Sequence, residues 1–171
     1  LDLDKPLNIT KDINIHVPTI LPHTYCQNVN ERLIIYKRLS NTNNKEQLNE
    51  LKEELIDRFG LMPEQTKNLI LFHQLRIDID EYEIVKVDAG KSIIELTFSK
   101  DIDIDPIKII DLIQSDQRYK MNGPDKLKIT ISIELVEDRV MFVKNILKVK
   151  HLKELVVAVM SKISLKNIKN L

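Results

Sequence analysis

An α+β fold follows from two features of the 171-residue chain: a change of hydrophobic period near its middle, and the punctuation on either side of that change. In the first half, apolar residues recur at helical spacing between helix caps and stops. In the second half they alternate around two short turns rich in Gly, Asn and Asp, as hairpin strands do. With 43% apolar and 30% charged residues, the chain has enough apolar material for one packed core. The expectation is helices in the first half packed on a small, mostly antiparallel sheet of β-hairpins.

Residues 1–12 read as an entry linker that contains Pro6. Ile13, Ile15 and Val17 alternate with polar residues and predict a strand stopped by Pro18. The following segment, with Pro18 and Pro22, is a loop lying over the helices after it. Asn28 or Asn30 caps a helix to about Ser40, with Leu33, Ile34, Tyr36 and Leu39 as its apolar face. Asn44 caps a second helix ending at Phe59, where Gly60 supplies the stop. Pro63 opens a third helix in its first turn, carrying Leu69, Ile70, Phe72 and Leu75 to roughly Asp80.

A hairpin is then predicted from Tyr82 to Phe98, turning at Asp88-Ala89-Gly90-Lys91. Asp105-Pro106 starts a helix from Ile107 to Ser115. Tyr119 to Met121 and Leu127 to Ile131 form a second strand pair around Asn122-Gly123-Pro124-Asp125. Glu134 to Lys148 is amphipathic through Val136, Val140, Val143 and Leu147.

Composition excludes several kinds of chemistry. The three glycines, Gly60, Gly90 and Gly123, lie too far apart for any phosphate-cradling loop. One cysteine, Cys26, allows neither an intramolecular disulfide nor a cysteine-cluster zinc site, and fits a reducing, cytoplasmic setting. His16, His23, His73 and His151 show no metal-site spacing, and Asp101 to Asp105 lack the glycine and distal Glu of a calcium loop. His23 and Cys26 are close in sequence, but nothing supplies an orienting group or oxyanion donors for a nucleophile. No apolar run approaches the ~20 residues of a membrane span. The expectation is no catalytic residue, no metal and no cofactor.

Charge is more informative than composition. Lys+Arg and Asp+Glu each number 26, a net charge of zero. Residues 144–171 hold seven Lys and one Glu, so they carry +6 and the rest of the chain −6. Much of the acid lies on the second helix. There Leu48, Leu51, Leu55 and Phe59 fall within about an 80° arc, and Glu46, Glu50, Glu53, Glu54 and Asp57 within about a 100° arc opposite. Lys45, Lys52 and Arg58 flank the apolar stripe, so that on this one-helix wheel they do not neutralise the acidic face. Such a face is either a solvated surface or a docking surface for a basic partner. The basic segment 150–171 has helical spacing at Leu152, Leu155, Val156, Val159 and Ile163. It either packs on its own domain or touches nucleic acid or a membrane surface.

The segments NVNERLIIYKRLS and ELKEELIDRFGLMPEQTKNLI resemble the C-terminal (TRCF) domain of the bacterial transcription-repair coupling factors. VPTILPHTYC and YKMNGPDKLKI are similar to further parts of that domain, and the likeness runs from about Ile13 to Leu147. ELIDRFG with the downstream Pro63 is its most specific part. The domain boundaries expected on this basis are 1–12 linker, 13–149 TRCF domain and 150–171 basic tail.

The resemblance implies a non-catalytic regulatory domain of an ATP-driven DNA translocase. Such a parent displaces stalled RNA polymerase and recruits UvrA of nucleotide excision repair. The domain docks on an N-terminal UvrB-like module of the same chain, masking UvrA binding and restraining the motor. By position, the docking residues are Glu54 and Asp57, with Glu50 and Glu53 as neighbours on the face the wheel defines. The sequence departs from the family pattern at His23-Thr24, where acidic or small polar residues are commoner. The different expectation left open by the basic tail is a nucleic-acid-binding accessory domain acting through residues 150–171.

Overall fold

The computed structural model describes residues 11–99 and 113–148. In chain order the elements are β1 (Asp12–Asn14), α1 (Val29–Ser40), α2 (Lys45–Phe59), α3 (Glu64–Asp78), β2 (Ile84–Ala89), β3 (Ile93–Phe98), β4 (Tyr119–Met121), β5 (Lys126–Thr130) and α4 (Val136–Lys148). The five strands form one sheet in the order β1-β2-β3-β5-β4. Every neighbouring pair is antiparallel except β1 with β2. This is the α+β arrangement that the change of period predicts. The helix expected from Ile107 lies mostly outside the described residues, as do the entry linker and the basic tail.

Each helix begins and ends for a local reason. The Asn28 side chain accepts from the Glu31 amide at 3.1 Å, and the Asn44 side chain accepts from the Gln47 amide at 2.9 Å. Gly60, at φ 85°, ends α2 and donates its amide to the Ile56 carbonyl at 2.8 Å. Pro63 is the cap of α3 rather than a residue of its first turn. Its missing N–H costs nothing there, because the first amides of a helix have no intrahelical acceptor. At the other end, Lys11 closes α3. Its Nζ donates to the carbonyls of Ile79, Asp80 (3.0 Å) and Tyr82 (2.5 Å).

Two packed clusters share α3. One joins Leu21, Cys26, Ile35, Leu39, Leu48, Leu51 and Leu55 to Leu69 and Ile70 of α3. The other places Leu75 of α3 and Val136, Val140, Val143 and Leu147 of α4 against Val87, Ile94, Leu96, Leu127 and Ile129 of the sheet. The α4 positions are those its amphipathic spacing predicts. Leu55 belongs to the first cluster and is buried. Leu55→Ala is expected to cost about 2–5 kcal/mol through lost transfer energy and a residual cavity, which urea unfolding measures directly.

Three local expectations are corrected. On α1, Leu33 and Ile34 are 61% and 57% exposed, and Ile35 with Leu39 forms the buried stripe. Four successive apolar or aromatic residues, Leu33 to Tyr36, left the helix phase open. The partner leucines on α2 select Ile35. The first strand stops at Asn14 because His16 takes φ 55°, its amide bonded to Asn14 Oδ1 at 2.9 Å. That turns the chain before Val17 can join the ladder. The first hairpin turns two residues later than predicted, at 90–92, because Ala89 is fully buried opposite Ile94 and so extends β2.

Arg139 of α4 is also fully buried, and its Nη2 donates to the Ile15 carbonyl at 3.2 Å. The strand exit is thereby tied to α4. Among the described residues no helix is long and apolar enough to cross a membrane.

Candidate docking face

The outer side of α2 is fixed by its inner side. Leu48, Leu51 and Leu55 are buried, and Phe59 stacks obliquely on Tyr25 with ring centroids 5.6 Å apart. Tyr25 then donates its hydroxyl to the carbonyls of Leu55 (3.0 Å) and Gly60 (3.1 Å), pinning the end of the helix. With that side held, Glu46, Glu50, Glu53 and Asp57 project into solvent, while Glu54 is half-buried at the edge facing α1.

Glu54 differs from its neighbours. Arg38 of α1 grips it with both guanidinium nitrogens, Nη1 to Oε1 at 2.7 Å and Nη2 to Oε2 at 2.5 Å. Arg58, one turn on, adds Nη1 to Oε1 at 3.0 Å. Its Nη2 reaches Glu31 of α1 at 2.6 Å, and its guanidinium lies over the Phe59 ring at 4.9 Å. The Arg38 guanidinium, with Arg58 behind it, holds the Glu54 carboxyl down at about 2. The expectation that flanking bases leave the acidic face unneutralised is therefore corrected at Glu54. Arg38, on another helix, was invisible to the α2 wheel.

Glu50, Glu53 and Asp57 make no ion pair among the described residues. The predicted residues thus lie together on one helix but divide into two kinds. Glu54 is chelated within the domain, whereas Asp57, Glu53 and Glu50 form an open ridge. Arg38, Glu31 and Arg58 are the members that the α2 pattern alone missed. Their signal was present in the sequence as an acid–base pair seven apart on α1 and another four apart on α2.

The remaining candidates for chemistry are dispersed. His73 is buried against Phe72, His16 pairs with Asp88, and His23 is exposed while Cys26 is fully buried. Among the described residues no group of three or more His, Cys, Asp or Glu is placed to hold a metal ion. Asp101 to Asp105, His151 and the lysine-rich tail lie outside the described residues.

Comparison with known proteins decides the family. The model of the TRCF domain matches residues 15–109, more than half of the chain. The chain belongs to the TRCF domain family. Over 138 residues this TRCF domain is 40% identical to the transcription-repair-coupling factor of Haemophilus influenzae and 29% identical to that of Escherichia coli K12. Each alignment covers 80% of the chain but only 12% of the relative. The TRCF domain thus corresponds to a small part of the curated relatives it matches. A crystal structure of the C-terminal domain of a transcription-repair coupling factor superposes with a TM-score of 0.59, over 80% of this chain and 94% of that one. At 20% identity, that likeness supports the fold.

Proposed function

We propose that this TRCF domain is a non-catalytic regulatory element of a transcription-repair coupling factor, and that the α2 ridge is its docking surface. The parent is an ATP-driven DNA translocase that displaces stalled RNA polymerase. Within it, the ridge holds the domain against the N-terminal UvrB-like module, masking UvrA binding and restraining the motor. The observation carrying this reading is the exposure of Glu50, Glu53 and Asp57 on one helix with no ion pair among the described residues. Like charges so placed weaken a helix slightly, a cost that a basic partner removes.

The strength of such a contact suits a restraint that must let go. Individual exposed ion pairs are worth under ~1 kcal/mol, so a few of them hold the domain reversibly. Their mutual attraction also sets register and association rate more than final affinity. Glu54→Ala with Asp57→Ala in the full-length parent is expected to raise basal ATP hydrolysis several-fold, because the Asp57 pair is lost and the Arg38 and Arg58 charges are uncovered beside the ridge. Hydrolysis unchanged from wild type in a well-folded double variant would remove the docking reading. Asp57→Ala alone is the cleaner probe, because Asp57 has no ion pair to lose within the described residues.

A further inference from the structure

The ladder Arg38–Glu54–Arg58–Glu31 alternates positive and negative, sums to zero charge, and runs between α1 and α2 beside the open ridge. We infer that Arg38 and Arg58 are internal stand-ins for the docking partner's cations, so that they set how strongly the acidic ridge is held by its basic partner. This inference rests on the docking reading above and adds the residues that tune it.

The argument is one of occupancy. A carboxylate offers about four lone-pair positions. Three donors already hold Glu54: both terminal nitrogens of Arg38 and one of Arg58. An incoming cation must therefore enter beside two guanidinium charges or displace Arg38. Displacement is sterically open, since the Arg38 and Glu54 side chains are 45% and 33% exposed. Arg58 has a second partner in Glu31 at 2.6 Å, so it stays anchored if it releases Glu54. Arg38 makes no other ion pair among the described residues.

Glu50, Glu54 and Asp57 lie along one side of α2, with Glu54 about one turn from each of the other two. Cancelling Glu54 therefore lowers the negative potential of the ridge that remains. Arg38 is in this sense a positioning residue. It fixes the Glu54 carboxylate against α1 and keeps the dock weak enough to release.

The test uses the full-length parent with Arg38→Gln, Arg38→Lys, Glu54→Gln and the Arg38→Gln/Glu54→Gln pair, read out as basal ATP hydrolysis and affinity for UvrA. Arg38→Gln leaves Glu54 to Arg58 alone and makes the face one charge more negative. It is expected to lower basal hydrolysis and UvrA affinity by about two- to fivefold, the scale of one exposed charge pair. The shift should shrink as salt rises from about 0.05 to about 0.5 M. Arg38→Lys keeps the charge and should stay close to wild type. In the Glu54→Gln background, Arg38→Gln should shift hydrolysis much less, because the carboxylate it releases is gone.

A role of Arg38 that does not run through Glu54 would give the same shift in both backgrounds. That result would overturn the inference, as would unchanged or raised hydrolysis in Arg38→Gln alone. If Asp57→Ala is also without effect, the docking reading itself fails and the inference falls with it. If Asp57→Ala derepresses while Arg38→Gln does not respond, the dock stands and only the stand-in role is lost.

Discussion

Asp78→Ala is expected to destabilise the domain by about 2–4 kcal/mol, since it breaks a largely desolvated ion-pair junction by removing its shared member. The Asp78 side chain is only 7% exposed, and it receives Lys45 of α2 at 3.1 Å and Lys144 of α4 at 3.4 Å. It sits at the end of α3, which among the described residues is the one helix that belongs to both hydrophobic clusters. The junction therefore links the helical half to the sheet half. Lys45 can return to water, whereas the mostly buried Lys144 loses a carboxylate 3.4 Å away. Asp78→Asn keeps the shape and should cost roughly half as much, because only the charge is lost. The measurement is the urea midpoint at unchanged slope. A shift equivalent to under about 0.5 kcal/mol, the scale of an ordinary surface substitution, would show that the two halves are held by packing alone.

Acidification is expected to weaken the fold before the Glu54 carboxyl titrates. His73 is buried, and burial, reinforced by the neighbouring Arg76 guanidinium, pushes its imidazole down to about 4. Its Nδ1 accepts from Arg76 Nε at 3.3 Å. The same guanidinium donates through Nη2 to the carbonyls of Leu39 (3.2 Å) and Thr42 (2.6 Å), closing the end of α1. A proton on His73 Nδ1 would abolish that acceptor and set two cations side by side.

The unfolded chain takes up this proton near pH 6.5 and the folded chain only near 4. The associated stability is thus complete above 6.5, declines as pH falls through this window and is gone below about 4. The loss is about 3 kcal/mol over the window. His73→Gln, a neutral acceptor, should flatten that part of the stability profile relative to wild type. An unflattened profile would place the acid sensitivity elsewhere. The depressed carboxyl of Glu54 acts in a separate window: its contribution is intact above 4.5 and fades only as pH falls toward 2.

The fold was legible wherever one helix or hairpin carried its own signal. The Asn28 and Asn44 caps, the Gly60 stop, the α4 stripe and both hairpins depend on near neighbours in the chain, and the structure has them close to where the sequence puts them. What was not legible depends on partners distant in sequence. The phase of α1 within Leu33 to Tyr36 is chosen by α2, and the parallel pairing of β1 spans more than seventy residues.

The same distinction divides the candidate site. Periodicity placed Glu50, Glu53, Glu54 and Asp57 on one face of α2. It could not reveal that Arg38 would cross from α1 and remove Glu54 from the open ridge. The Asp78 junction was hidden for the same reason, because Lys45, Asp78 and Lys144 are each unremarkable on their own helices.

The central claim is that the acidic side of α2 holds this domain against another part of its parent chain and hides a binding surface there. The most direct measurement is the affinity of the full-length parent for UvrA, with wild type and the Glu54→Ala/Asp57→Ala variant compared at low salt. Docking through this face predicts markedly tighter UvrA binding by the variant, with the difference narrowing as salt weakens the wild-type dock. Equal affinity across the salt range, with the variant domain folded, would contradict it.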